Sequence, residues 1–390
     1  MLYMLIENPA FASWLEKIGL GPLISVMFQI EFRAFFSVLL SFFIVLAFGR
    51  RTIMWLMRLK IGDAPEFYNA DLNTLMANKK NVPTMGGILI VAAIAGAMLL
   101  VADLRNFYVL LSLVVLIWLA CVGAADDWLK LRSARLQSTT REGLFAWEKL
   151  LFQLGLGLLV AIFLYIHSDR PEAHLLNLPF QRTYVPGTDG LIIEDGVIQL
   201  GLFAFAVIAT LLIAGTSNAV NLTDGMDGLA AGTVVIAACT LMGLSYIAGS
   251  ETAAARLYLP YVNDADEMMV LAGAIAGACL GFLWFNCLPA QVFMGDTGSL
   301  PLGGLLAYIA VAIRQEILLL VIGGVFFIEI GSVVLQVSYY KWTGGRRIFR
   351  VSPIHHHFQL GGWSEQQVVT RFWVLGVIFA MLALVSIKLR

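Results

Sequence analysis

Phe107-Tyr-Val-Leu-Leu-Ser-Leu-Val-Val-Leu-Ile-Trp-Leu-Ala-Cys-Val-Gly-Ala-Ala125 is 19 residues without a charge, and Asp126-Asp127 follows it directly. Coiled as a helix, such a run spans about 28 Å, close to the thickness of bilayer hydrocarbon. It reads as a transmembrane helix closed by two acids. A carboxylate at the edge of hydrocarbon is costly and implies a functional partner.

Working outward, nine further runs are predominantly apolar, some with one or two charges: Ile24–Gly49, Met85–Ala102, Leu144–Ile166, Ile198–Gly215, Leu229–Ala248, Met268–Phe285, Leu300–Ile313, Ile317–Tyr340 and Phe372–Leu389. Leu300–Ile313 is short, and Arg314-Gln315-Glu316 makes a tight turn to its successor. The predicted fold is an all-α integral membrane protein of ten transmembrane helices in one domain, residues 1–390. No internal repeat or low-complexity tract is evident. A content of 59% apolar and 13% charged residues, with mean hydropathy +0.84, excludes a soluble globular class. Net charge −1 without a basic block gives no pull toward nucleic acid. Cys121, Cys239, Cys279 and Cys287 fall in or beside apolar runs and read as small buried hydrophobes. Glu7, Glu16 and Lys17 ahead of the first run argue against a cleavable signal peptide. Tyr184–Leu200 carries Pro186-Gly187 and then Asp195-Gly196, a hairpin signal.

Basic residues set the orientation. Sixteen of the 25 lysines and arginines lie in the connections after the first, third and ninth runs or at their edges, among them Arg50, Arg51, Arg132, Lys149, Arg346 and Arg347. The opposite loops are acidic, with Asp169, Glu172, Glu194, Asp195, Glu251, Asp264, Asp266 and Glu267. Both termini are therefore predicted periplasmic. Every polar motif then falls on the cytoplasmic face, where the active site is expected.

Five motifs carry the chemistry. On a helix the side chains of Asp126 and Asp127 diverge by about 100°, so they are expected to divide the work rather than chelate one ion together. Solvated acids at a helix end are the plain alternative. Lys130, one turn on, pairs with Asp126 or with a phosphate. Asn218-Ala-Val-Asn221-Leu-Thr-Asp224-Gly225-Met226-Asp227-Gly228 offers donors, acceptors and close backbone approach, suited to a sugar, a base or hydrated magnesium. In Phe293-Met-Gly-Asp296-Thr297-Gly-Ser299 the hydroxyls fit a helix cap, whereas Asp296, with Asn286 upstream, reads as a metal carboxylate. Pro353-Ile-His355-His356-His357-Phe358 follows a basic stretch. Three consecutive histidines rarely share one zinc, and donation to phosphate oxygens is the better reading. Lys79-Lys80-Asn-Val-Pro83-Thr-Met-Gly-Gly87 gives the second run a shaped start as well as a positive-inside signal.

Pro-Thr-Met-Gly-Gly87, Asp126-Asp127, the Asn218–Gly228 segment, Trp-Phe-Asn286, Pro-Ala-Gln-Val-Phe-Met-Gly-Asp-Thr-Gly-Ser299, Gly-Gly-Val-Phe326 and Arg-Ile-Phe-Arg-Val-Ser-Pro-Ile-His-His-His357 together resemble the phospho-N-acetylmuramoyl-pentapeptide transferase family. The resemblance runs from near Phe35 to Arg390. It implies a ten-helix fold in the bacterial inner membrane, a homodimer, and transfer of phospho-MurNAc-pentapeptide from UDP-MurNAc-pentapeptide to undecaprenyl phosphate. UMP leaves, and Mg2+ is the cofactor. It implies catalytic roles for Asp126, Asp127, Asp296, His355 and His356, with Asp296 the magnesium ligand and Asp126 at the lipid phosphate. Lys79, Asn221, Asp224, Gly225, Met226, Asp227, Asn286 and Phe293 resemble the nucleotide-sugar pocket, and Lys130 and His357 join them as substrate contacts.

Two segments depart from the family pattern. Arg141-Glu142-Gly143-Leu144 stands where Lys-Gly-Leu is usual, after a longer Ser133–Thr140 segment, which transfers the basic role to Arg141 or removes it. Phe67–Asn78 lacks the usual glycine- and charge-rich character. A polyprenyl-phosphate GlcNAc-1-phosphate transferase would share the acids but not Pro-Ile-His-His-His-Phe358. An ion-coupled transporter would hold its acids near mid-membrane on both access routes. The prenyl chain calls for an apolar groove between helices. Direct attack by the lipid phosphate is preferred over a phospho-enzyme, because a phosphate monoester (second pKa about 6) is already anionic.

Overall fold

The computed structural model describes residues 2–6, 8–17, 19, 21–59, 82–136, 143–168, 170–187 and 190–388. Its frame is helical: α1 (Ile30–Arg58), α2 (Gly87–Val101), α3 (Phe107–Leu136), α4 (Ala146–His167), α5 (Leu202–Thr223), α6 (Leu229–Gly249), α7 (Met268–Asn286), α8 (Asp296–Ala312), α9 (Glu316–Ile322), α10 (Gly324–Trp342), α11 (Ile354–Leu360) and α12 (Glu365–Lys388). Among the described residues seven helices are long and apolar enough to cross a membrane, and the pair α9–α10, bent by 84°, makes an eighth candidate. Helix α2 has only 15 residues and α8 only 17, about 22 and 25 Å of rise, so length alone does not make either a span.

The helices fall on the predicted runs, but their ends move and Ile317–Tyr340 is broken at Gly323 into α9 and α10. Helix α1 starts at Ile30 and carries Arg50 and Arg51 inside it. Helix α5 starts at Leu202 because Ile198–Gln199 pairs antiparallel with Leu175–Leu176. It then continues to Thr223, which draws Asn218 and Asn221 onto a helix. Helix α3 does not end at Asp126-Asp127 but runs on to Leu136, because both acids find partners on neighbouring elements. The hairpin pairs Tyr184–Gly187 with Gly190–Ile193, so Pro186-Gly187 lies on its first strand. Asp195-Gly196 instead leads the chain into the Ile198–Gln199 strand.

Packing follows the logic of helices in lipid, where small residues let backbones approach. Helix α1 buries Ala34, Ser37, Ser41 and Val45 against α7, and the Ser37 hydroxyl donates to the Val270 carbonyl at 3.0 Å. Its opposite face exposes Phe35, Leu39 and Phe43. Helix α7, rich in alanine and glycine, is almost wholly enclosed. The cysteines follow this pattern too. Only Cys279 is buried, while Cys121, Cys239 and Cys287 are free and exposed, contrary to the sequence expectation. Outward faces here are as apolar as the interior, so an apolar neighbourhood does not imply burial.

Candidate active site

The site forms where the last turns of α3 and α5 meet the first turns of α4 and α8. Gly123 permits the contact: a Cβ there would overlap the Asp296 carbonyl and lie 2.7 Å from the Thr297 nitrogen. Asp127 then caps α8. Its carboxylate accepts the N–H of Asp296 at 3.1 Å, the N–H of Thr297 at 2.9 Å and the Thr297 hydroxyl at 2.6 Å. The positive end of the helix dipole favours a negative charge at that point. This corrects the expectation that Thr297 and Ser299 cap the helix. The Ser299 hydroxyl donates to the Gly295 carbonyl at 2.9 Å, and an ionised acid is the stronger acceptor for the free N–H groups.

Asp126 faces α4. Its Oδ1 accepts the Leu144 N–H at 2.7 Å, and its Oδ2 lies 2.7 Å from the Nζ of both Lys130 and Lys149. Lys149 also reaches Asp296 Oδ2 at 2.6 Å, and Lys130 lies 3.4 Å from it. Asn221 Nδ2 donates to Asp296 Oδ1 at 2.8 Å and to Ser299 Oγ at 2.9 Å. Asp126 and Asp127 do have separate partners. Yet one oxygen from each of Asp126, Asp127 and Asp296 lies within 4.8 Å of the others, because the start of α8 brings Asp296 up to both. The two acids have the separate partners expected of a divided role, and the three hard oxygen donors could also hold one cation.

The Asn218–Gly228 segment divides by position. Asp224 follows α5, and burial together with the Asp296 and Asp127 carboxylates holds its carboxyl well above the usual range. Met226 packs with Leu229, Val325 and Phe372. Asp227 Oδ2 accepts the Ala290 N–H, and its own N–H donates to Glu365 Oε1, each at 3.0 Å. Asn286 accepts the Gly228 N–H at 3.0 Å and donates to the Val292 carbonyl at 2.9 Å. These three brace the turn from behind. Phe293 is locked to the Pro83–Gly87 motif: its N–H donates to Pro83, and the Gly86 and Gly87 N–H groups donate to Phe293 and Met294, each at 2.8 Å.

His355 Nδ1 lies 3.0 Å from Glu329 Oε2, and His356 Nδ1 lies 3.2 Å from Gln359 Oε1. Both rings abut Gly225. His357 is directed elsewhere, accepting the Arg350 N–H at 3.1 Å. Lys79, Phe67–Asn78 and Arg141-Glu142 lie outside the described residues.

Two charged residues that pair with motif side chains escaped the sequence reading. Lys149 counted there only as a loop charge, although it opens an apolar run. Glu329 stands inside Phe326-Phe-Ile-Glu329-Ile330, where an acid within an apolar run was the available signal. One turn beyond Lys149, Gln153 donates to Ser217 Oγ at 3.1 Å and accepts from Asn218 at 2.6 Å, tying α4 to α5. On another face of α4, Leu151, Leu154 and Leu158 join Phe203, Val207 and Leu211 of α5 around an apolar groove of about 490 Å3.

The sequence model of glycosyl transferase family 4 matches residues 107–314, more than half of the chain. The phospho-N-acetylmuramoyl-pentapeptide-transferase of Desulforapulum autotrophicum is 42% identical over 361 residues, covering 93% of this chain and 94% of the relative. That of Thermodesulfovibrio yellowstonii is 41% identical over 94% of this chain and 96% of its own. That of Desulfotalea psychrophila is 42% identical, again over 94% and 96%.

Proposed function

Because the chain belongs to the phospho-N-acetylmuramoyl-pentapeptide-transferase family, within glycosyl transferase family 4, we propose that the Asp126–Asp127–Asp296 cluster is its transfer site. The enzyme moves phospho-MurNAc-pentapeptide from UDP-MurNAc-pentapeptide to undecaprenyl phosphate, giving lipid I and UMP in peptidoglycan synthesis. The observation that carries the site is the joining of three buried acids and two lysines at one end of the helices.

The donor set fits magnesium. Three carboxylates against two ammonium groups leave one negative charge in excess, so the cluster repels a diphosphate unless a cation joins it. The carboxylates would hold that ion, with Asp296, fixed by Asn221, as its principal ligand. When bound, magnesium offsets diphosphate charge and polarises the bond to the departing UMP. Lys130 and Lys149, which now bridge Asp126 and Asp296, turn to the phosphates. Asp126 orients the lipid phosphate and takes any residual proton from it. Asp224, Asn221 and the Pro83–Gly87 and Phe293 backbone shape the nucleotide-sugar side.

The basic connections support a cytoplasmic site. With α2 and α8 counted as spans, the helices make ten crossings with both termini periplasmic in the bacterial inner membrane. The apolar groove between α4 and α5 suits the prenyl chain, since a polyprenyl lipid stays in the bilayer while the nucleotide stays in water. A homodimer is the assembly that accompanies this reading.

The test is UMP release by purified enzyme supplied with undecaprenyl phosphate, Mg2+ and either UDP-MurNAc-pentapeptide or UDP-GlcNAc. Turnover of the pentapeptide substrate alone is expected. Turnover of UDP-GlcNAc alone would assign the GlcNAc-1-phosphate branch instead.

A further inference from the structure

Glu329 lies on α10, is fully buried, and belongs to no motif used above. An ionisable side chain in a membrane helix requires a partner. That partner is His355, and both side chains are wholly enclosed. A carboxylate only accepts, so the ring nitrogen facing it, Nδ1, carries hydrogen. His355 Nε2 points the other way, against Gly225, where any side chain would overlap it. It has no hydrogen-bond partner among the described residues. A Cβ on Gly225 would also come within 3.5 Å of His356 Nε2, so two imidazoles converge on the residue after Asp224. Asp224 in turn feels the charges of Asp296 and Asp127. A buried polar atom without a partner is costly unless a ligand satisfies it.

We propose that Glu329 is a positioning residue for the transfer, holding His355 through Nδ1 so that Nε2 meets an anionic oxygen of the bound diphosphate. The inference rests on the acid cluster being the transfer site. The carboxylate selects the ring's orientation and tautomer. It also stabilises the imidazolium, the form in which Nε2 donates to a phosphoryl oxygen. His356 Nδ1 faces the amide oxygen of Gln359, whereas His355 Nδ1 faces a carboxylate.

The test is a two-residue cycle on the full chain, reading UMP release with UDP-MurNAc-pentapeptide, undecaprenyl phosphate and Mg2+. Glu329→Gln keeps an acceptor for Nδ1–H but loses the charge, and should lower kcat about tenfold with KM for the UDP-sugar nearly unchanged. Glu329→Ala loses both, and should fall about 100-fold. In a His355→Asn background either change should cost less than about threefold more, because groups acting as a unit are non-additive. If thermal melting shows the alanine variant unfolded, the same cycle is closed with the near-isosteric Glu329→Gln. Wild-type kcat in Glu329→Gln, or an equal loss with and without His355, would overturn the proposal. A wild-type enzyme releasing no UMP would overturn the transfer reading instead.

Discussion

Replacing Gly123 with alanine tests how finely helix packing sets the site. The added methyl meets backbone on α8, the Asp296 carbonyl and the Thr297 nitrogen, and neither can rotate away. The Thr297 nitrogen would lie at 2.7 Å, against an ordinary closest approach of 3.4 Å. Helix α8 must therefore retreat by at least about 0.7 Å at its first turn, and further to clear the Asp296 carbonyl, carrying Asp296 away from Asp126, Lys149 and the Asp127 cap. Misplacement on the 1 Å scale costs about 100-fold in rate, so kcat should fall roughly 30- to 100-fold. Overpacking of this kind costs about 1–3 kcal/mol of stability, a measurable drop in melting temperature without loss of the fold. Gly243→Ala, where a Cβ meets nothing within 4 Å, is the control and should keep full activity. The assay is initial-rate UMP release at saturating substrates, paired with thermal unfolding in detergent. A Gly123→Ala enzyme within about threefold of wild type, melting normally, would refute the idea that α3–α8 contact sets catalytic geometry.

Four further outcomes follow from the same geometry. Lys149→Met keeps the stem but removes the charge bridging Asp126 and Asp296, and should lower kcat/KM about 100- to 1,000-fold in the UMP assay. Asp127→Ala strands two N–H groups and a hydroxyl at the start of α8, and should lower stability by about 3 kcal/mol in a denaturation series. Chelation by EDTA should stop UMP release, and added magnesium should restore wild type but not Asp296→Asn. Asp224 has a raised carboxyl, so the stability it contributes is complete below the unfolded value near 3.9 and is lost as pH rises through the folded one. Asp224→Asn should flatten that fall in metal-free melting curves recorded from about pH 4 to pH 8.

The helices were legible because an uncharged apolar run near 20 residues matches the bilayer's thickness, a length that buried helices of soluble proteins rarely reach. Their ends were not, and the reason is visible at Asp126. A hydropathy profile terminates a helix at the first acids, but these acids stay helical because α4 and α8 supply lysines and N–H groups to them. Asn221 looked like a loop ligand for substrate, and the structure places it on α5 holding Asp296. Motif reading identifies which residues cluster but not whether each faces the substrate or braces another. Asn286 and Asp227 are of the bracing kind, since their partners are backbone groups that no spacing rule reveals. Lys149 and Glu329 were missed because a single charge beside or within an apolar run carries no pattern of its own. Only the fold pairs them with Asp126 and His355.

The same partners bear on whether an aspartate attacks the sugar-linked phosphate. Asp127 Oδ2 accepts both the Thr297 N–H and its hydroxyl, and Oδ1 accepts the Asp296 N–H. Asp126 Oδ1 accepts the Leu144 N–H, and Oδ2 faces two ammonium groups. Before either acid can form a bond to phosphorus it must release an oxygen from such contacts. Hydrogen bonds to a charged group are worth about 1.5–3 kcal/mol each, so freeing Asp127 Oδ1 from its one contact costs about 1.5–3 kcal/mol, a factor of roughly 10 to 200 in rate, and freeing Oδ2 from its two costs about 3–6 kcal/mol, roughly 200 to 20,000. The lipid phosphate arrives already anionic and bears no such cost. We therefore propose direct attack as the faster route, with Asp126 as orienting acid and Asp127 as the fixed cap. Enzyme incubated with β-phosphate-labelled UDP-MurNAc-pentapeptide, without lipid acceptor, should show neither a UMP burst nor protein-bound label. A burst matching the enzyme concentration, or label recovered on Asp126 or Asp127, would establish the phospho-enzyme and sink this argument.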